Sequence, residues 1–260
     1  MKIKTPIHII IILLYSLNSF SQSKITSVKV NYEFIMGLTN KTDRSVAELQ
    51  IGNRIATYIV LNNQKEENSD DFKYDKKSDS YNKEIDLSDG SGMYMKINLM
   101  DSTLIHTSNI GKTKYLIHES LPVMNWKLEE GEKEINDFIC KKATLNFRGR
   151  DYIAWYNPKI PVPFGPWKFT GLPGLIMEIS DLDNKYSWAA KKIITAVTFN
   201  ENDIDKKKYK SVSLKQYIAL QDKSSEDFKK MMLSKVPKGA MITDFKMENN
   251  SIETKYEWQK

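Results

Sequence analysis

Three cations, Arg148, Arg150 and Lys168, flank a stretch of the chain that breaks every periodic pattern. Guanidinium groups on one side and an ammonium on the other could receive a carboxylate, an anionic lipid head or the acidic patch of a partner. The same cations could instead pair with Asp151, Glu178 or Asp181. Residues 157–174, which include Lys168, hold Pro158, Pro161, Pro163, Pro166 and Pro173, five of the chain's eight prolines. Such a run can be neither a helix nor a central strand, so it is an extended loop. Trp155, Trp167 and Phe169 offer large apolar faces in and beside it. Two readings stay open. The aromatics plug one end of a sheet, or they form a rigid platform for a partner or an apolar ligand. In Leu172-Pro173-Gly174-Leu175, Pro and Gly fall at the two central places of a type II turn.

Constellations for catalysis are not visible, and no catalytic residue is assigned. Beyond the N-terminal leader described below, the histidines are His106 and His118. Neither stands in an HExxH-like spacing or near a cysteine, so no metal site is expected. No Gly-x-Ser-x-Gly elbow, phosphate-cradling loop or dinucleotide fingerprint occurs, and no cofactor is expected. The single cysteine, Cys140, cannot form an intramolecular disulfide and reads as a small buried hydrophobe in an alternating strand. A hydrolase using His106 or His118 with a nearby acid is the alternative function.

The elements that must position these residues are mainly β. Residues 24–34, 47–51, 55–61, 93–99, 104–110 and 114–119 read as strands, with a turn at Gly52-Asn53. A short strand at 126–128 precedes a turn over Glu129-Glu130-Gly131-Glu132. Residues 134–146 and 150–156 form a long hairpin about Arg148-Gly149, and 175–179, 186–190 and 193–199 follow as strands. Residues 62–89 are crowded with Lys, Glu, Asp, Ser and Asn and read as a solvated loop. Leu214, Tyr217, Ile218, Phe228, Met231 and Met232 recur at helical spacing, which predicts an amphipathic helix over about 213–235, single or broken near Ser224-Ser225, with Ser213 as N-cap. Residues 252–258 alternate as a closing edge strand. The expected fold is mainly β (α+β): a curved antiparallel sheet or half-barrel with a C-terminal amphipathic helix packed on it.

Residues 1–21 carry Lys2 and Lys4, an apolar core at 9–15, and small Ser19 and Ser21 before Gln22. That apolar core falls short of the roughly 20 residues a membrane span needs, so the segment reads as a secretory signal peptide. The expected mature chain is one domain over 22–260, exported, not spanning a membrane, and not lipid-anchored, since no cysteine stands near the cut. Setting the leader aside lowers the formal net charge from +6 to +4. The lysines are interleaved with acids, which argues against nucleic-acid binding.

The run Gly165-Pro166-Trp167-Lys168-Phe169-Thr170-Gly171-Leu172-Pro173-Gly174-Leu175-Ile176 resembles the signature of the GLPGLI family, exported proteins of Bacteroidetes named for the hexapeptide at Gly171 to Ile176. Upstream, Cys140-Lys141-Lys142-Ala143-Thr144, Phe147-Arg148-Gly149-Arg150 and Ala154-Trp155-Tyr156 fit the same pattern. The resemblance carries no catalytic residues. It implies a periplasmic location and a sheet-and-helix fold like that of periplasmic lipid or lipoprotein carriers. It also implies an accessory role beside an outer-membrane transporter of the TonB-dependent kind or another envelope protein.

Overall fold

The computed structural model describes residues 27–38, 41–61, 73–75, 80–82, 92–199, 201, 204–234 and 251–259. The expected leader lies outside them, as does most of the 62–89 loop. Within that loop only β4 (Lys73–Asp75) and β5 (Ser80–Asn82) are described, paired as a two-stranded ribbon.

Long-range order comes from one open, curved sheet. Its strands are β1 (Ser27–Leu38), β2 (Lys41–Gly52), β3 (Ile55–Leu61), β6 (Gly92–Asn98), β7 (Thr103–Ile110), β8 (Thr113–Ser120), β9 (Lys127–Ile135), β10 (Phe138–Phe147), β11 (Arg150–Asn157), β12 (Leu175–Asp181), β13 (Tyr186–Thr195) and β14 (Lys210–Ser213). Their order is β14-β8-β7-β6-β3-β2-β1-β13-β12-β11-β10-β9. Every pairing is antiparallel except β14 with β8. The expected mainly β fold is therefore what the chain adopts, and β13 pairing with β1 joins its two hairpin series.

Tight turns set the register. Asn53 and Arg54 both have positive φ (49° and 62°), the geometry of a two-residue hairpin turn that follows the strand twist. This places the turn one residue later than Gly52-Asn53. Gly52 instead ends β2, where an added Cβ would come 2.4 Å from the Phe199 ring. Asn136 and Asp137 make a turn of the same kind (49° and 63°), so β9 continues through Glu129–Glu132 in place of the expected turn, with a bulge at Glu130-Gly131 where the pairing steps from Glu132 with Lys141 to Glu129 with Lys142. The predicted strands at 186–190 and 193–199 merge into one strand, β13, which ends at Thr195; Ala196, at φ 56°, turns the chain, and residues 197–199 are irregular.

One face of the sheet is the core. Tyr32, Leu49, Tyr58, Met95, Leu104, Leu145, Tyr152, Ala154, Ile179 and Trp188 all point there and are almost wholly buried. Cys140 is among them, as expected. Burial pushes its thiol up to about 11, so it is a neutral packing residue at neutral pH. The opposite, outer face is largely charged, apart from a patch of Ile59, Tyr94 and Leu116 covered by Ile204 and Tyr209.

The helix α1 (Leu214–Ser234) starts with a reciprocal cap: Ser213 Oγ accepts from the Gln216 amide at 3.3 Å, and Gln216 Oε1 accepts from the Ser213 amide at 2.9 Å. Its first turns bury Leu214, Tyr217 and Ile218 against Tyr115 and Ile117. The expected packing stops there, because the helix runs off the sheet: Leu220, Phe228 and Met231 are exposed. The side chain of Met232 lies outside the described residues. Nor do residues 251–259 form a strand; they lie as an irregular segment against the β10–β11 turn.

Candidate functional site

The proline-rich loop folds back onto the core face. Phe164 bridges Thr170, the Gly165 amide donates to Phe169 O at 2.8 Å, and Phe169 N donates to Pro166 O at 3.2 Å. This miniature hairpin carries Trp167 and Lys168 at its tip, with Trp167 at φ 53°, a rare conformation for a bulky residue. The loop is tied to β12 through Leu175 N to Ile160 O (2.9 Å) and Ile176 N to Phe164 O (3.0 Å).

The hexapeptide at 171–176 works by close packing. Gly171 has φ 97°, which favours glycine. Gly174 serves a different need from the type II turn expected of it. Its amide donates to Leu172 O at 2.8 Å, closing a three-residue turn centred on Pro173. A Cβ at Gly174 would stand 2.2 Å from the Asn157 carbonyl oxygen and 2.9 Å from Pro158 Cα. Because those atoms are backbone, Gly174→Ala is expected to cost about 1–3 kcal/mol, read as a lower urea midpoint at unchanged slope.

Trp167 and Phe169 are buried inside an aromatic cluster. Phe169 meets Tyr152, Trp167 and Trp188 edge-on with centroids at 4.9, 5.1 and 5.7 Å. Trp167 stacks on Trp188 at 6.2 Å, and Trp188 Nε1 donates to Tyr58 Oη at 2.9 Å. Trp155 does not join them. It lies on the outer face beside Glu178 and Lys142, with Lys133 Nζ 5.8 Å from its ring. The three aromatics thus form no common platform, since successive strand residues point to opposite faces.

Beside the plug sits a buried ionic cluster. Lys168, 1% exposed, pairs with Glu119 and with both carboxylate oxygens of Glu253 (3.0 and 3.1 Å). Arg148 Nη1 pairs with Glu119 Oε2 at 2.9 Å and with Glu253, and its Nε pairs with Glu257 at 2.8 Å. Burial alone would lower the Arg148 pKa, but Glu253 and Glu119 overturn that and raise it, so the guanidinium stays charged. Arg150 pairs with Asp181 at 3.0 Å and lies 4.8 Å from the Tyr186 ring. The sequence points to Asp181 as one partner; the other two acids are used elsewhere. Glu178 binds Lys133, and Asp151 accepts from Asn146.

Glu119 and Glu253 were not legible as site residues. Both are far in sequence from the cations they meet, at separations of 29 and 105 from Arg148. One signal existed: Tyr115, Ile117 and Glu119 alternate on one strand face, so the face that buries Ile117 also buries a carboxylate.

His106 and His118 do not form a catalytic set. His106 is buried on the core face with Nε2 3.9 Å from Glu119, a carboxylate already held by Lys168 and Arg148. His118 is exposed, its Nε2 2.9 Å from Ser211 Oγ on β14. Burial lowers the His106 pKa well below 6.5, and Lys168 and Arg148 lower it further, so the folded ring is neutral. The unfolded chain takes up a proton below pH 6.5 and the folded chain does not. Stability therefore falls as pH drops from 6.5 towards the folded pKa, by up to about 1.4 kcal/mol per pH unit. His106→Asn is expected to remove that slope in urea titrations at pH 7, 6 and 5.5.

Among the described residues no group of His, Cys, Asp and Glu is placed to hold a metal ion, and no helix is long and apolar enough to cross a membrane.

The fold and cluster define an open, curved antiparallel sheet whose core face is closed by a proline-rich loop. A family model described as a protein of unknown function (Porph_ging) matches residues 147–178, the stretch from the Arg148 turn through the plug to β12. A search of curated proteins finds no match. Among solved structures the chain is similar to PNGF-II, at 11% identity and a TM-score of 0.49, covering 76% of this chain and 34% of that one. It thus spans about a third of the length of that structure's chain. It is also similar to a putative outer membrane lipoprotein-sorting protein domain from Vibrio parahaemolyticus, at 9% identity and a TM-score of 0.34, covering 71% of this chain and 92% of that one. A LolA superfamily protein from Nitrosomonas europaea matches at 10% identity and a TM-score of 0.27, covering 72% and 90%.

Proposed function

We propose that this chain is a GLPGLI-type exported protein of the periplasm, non-catalytic, that acts as a binding or accessory component of an envelope transport system. The observation that carries this reading is the commitment of its candidate site. Lys168, Arg148 and Arg150 are already paired, and His106 is sealed and neutral, so none of these four groups is poised to act as an acid or base on a substrate. Trp167 and Phe169 hold the loop as part of the core, which favours a protein partner over an apolar ligand held against the core face.

A second reading has its own observation. The core face is a continuous apolar and aromatic wall, and the loop is its cover. If the loop swings away, the wall becomes a trough for an apolar ligand. Native mass spectrometry on the mature protein isolated from its own envelope separates the two, combined with in-cell crosslinking. The first reading expects the bare polypeptide mass and a crosslink to an outer-membrane protein. A stoichiometric lipid adduct without any protein crosslink would contradict it and support the second.

A further inference from the structure

The C-terminal segment, residues 251–259, is held by the rest of the chain as a peptide is held by a receptor. The Ser251 and Ile252 carbonyls accept from Arg150 Nη2 and Nε at 3.0 and 2.8 Å. The amides of Thr254 and Lys255 both donate to the Arg148 carbonyl, at 2.9 and 3.1 Å. The Glu253 carboxylate enters the buried cluster between Lys168 and Arg148. Three residues on, Tyr256 is buried beside Tyr115, Ile117 and Tyr217, with Arg148 Cζ 5.6 Å from its ring.

The receptor side is shaped for this chain of atoms. Gly149, at φ 87°, would place a Cβ 2.2 Å from Thr254 Oγ1, so a side chain there would push the segment out. Its charge is also unbalanced without the segment. Among the described residues, Arg148, Arg150 and Lys168 face two carboxylates outside the segment, Glu119 and Asp181, which leaves one positive charge in excess; buried Glu253 cancels it, and Glu257 pairs with Arg148 at the exposed edge. These are the elements of extended-peptide recognition: backbone bonds, a charge-assisted carboxylate contact and an aromatic anchor.

We propose that this groove is a peptide-binding site, occupied in cis by the chain's own C-terminal segment. Its partner is an extended acidic segment of another protein, presenting a glutamate and, three residues later, an aromatic. That segment takes the place of residues 251–259. The inference rests on the reading that the partner is a protein and names the chemistry of the contact.

The test uses the full mature chain with a protease site inserted between 235 and 250, cut so that both pieces remain present. A fluorescein-labelled peptide covering residues 250–260 is titrated by anisotropy. A tethered segment competes at an effective concentration of order millimolar. The cut chain is therefore expected to bind the peptide at least about 100-fold more tightly than the uncut chain. Peptides carrying Glu253→Gln or Tyr256→Ala are expected to bind the cut chain at least about tenfold more weakly, by loss of a charge-assisted contact or an anchor. An unrelated acidic peptide keeping only the Glu and aromatic spacing is expected to compete. If the cut chain loses its near-ultraviolet circular dichroism, the uncut Glu253→Gln chain replaces it, and its loosened segment is expected to let the peptide bind more tightly than to the parent. Equal binding by the Glu253→Gln and native peptides would overturn the proposal. So would failure of the spaced acidic peptide to compete, no gain in the uncut variant, or exchange of segments between two copies to give a dimer. Any of these would leave the crosslinking result above standing, so the two readings fail separately.

Discussion

Replacing Lys168 with Met is expected to destabilise the chain by about 3–5 kcal/mol, the cost of removing one partner from a buried ion cluster. The side chain is 1% exposed and holds two carboxylates, Glu119 and Glu253. Methionine fills a similar volume, so the loss is electrostatic. Two buried carboxylates are left to one remaining cation, Arg148. Removing charge from both sides tests that cause. Lys168→Met with Glu253→Gln is expected to be less destabilised than the sum of the two single changes, because the second change removes a charge that the first leaves uncompensated. Urea denaturation of the four proteins gives the coupling directly. Strict additivity would mean that Lys168 acts through packing alone.

Phe169→Ala is expected to cost a similar amount, about 3–5 kcal/mol, for a different reason. The ring is fully buried, against Tyr152, Trp126, Trp167 and Trp188. Its removal leaves a cavity walled by rigid aromatics that cannot collapse into it. Phe169→Leu should recover much of the loss. A change below about 1 kcal/mol for Phe169→Ala would mean that the ring's site closes up or that the loop is loosely held. Melting followed by near-ultraviolet circular dichroism reports both stability and the aromatic environment.

Strand periodicity and turn chemistry made much of the sheet legible. β3 was bounded correctly at both ends because an alternating apolar run meets turn residues on one side and a polar tract on the other. The Arg148-Gly149 turn was visible for the same reason. The Asn136-Asp137 turn was masked by the glycine at 131, which drew the turn towards itself; in the fold Gly131 sits in β9 with φ 129°, beside the Trp155 ring. The extent of helix packing was not legible, since the stripe from Leu214 to Met231 records amphipathicity but not where the sheet ends.

The candidate site divides along the same line. Local composition identified the loop, its aromatics and its three cations. It could not show that Trp155 faces away from Trp167, because the proline loop separates them and reverses the chain. Nor could it find Glu119 or Glu253, whose partnership depends on the curvature that brings β8 and the C-terminal segment to the β10–β11 turn. A resemblance centred on one loop points to that loop without giving the groups that complete its charge.

The account depends most on the loop being a fixed part of the core, and amide hydrogen exchange across 160–176 measures that directly. The amides of Gly165, Phe169, Leu175 and Ile176 donate to Phe169, Pro166, Ile160 and Phe164 carbonyls. They are predicted to exchange only as slowly as the amides of β11 and β12, through global unfolding. Exchange of those four amides orders of magnitude faster than the amides of β11 and of β12 beyond Ile176 would contradict this, and would show that the cover opens while the sheet stays folded.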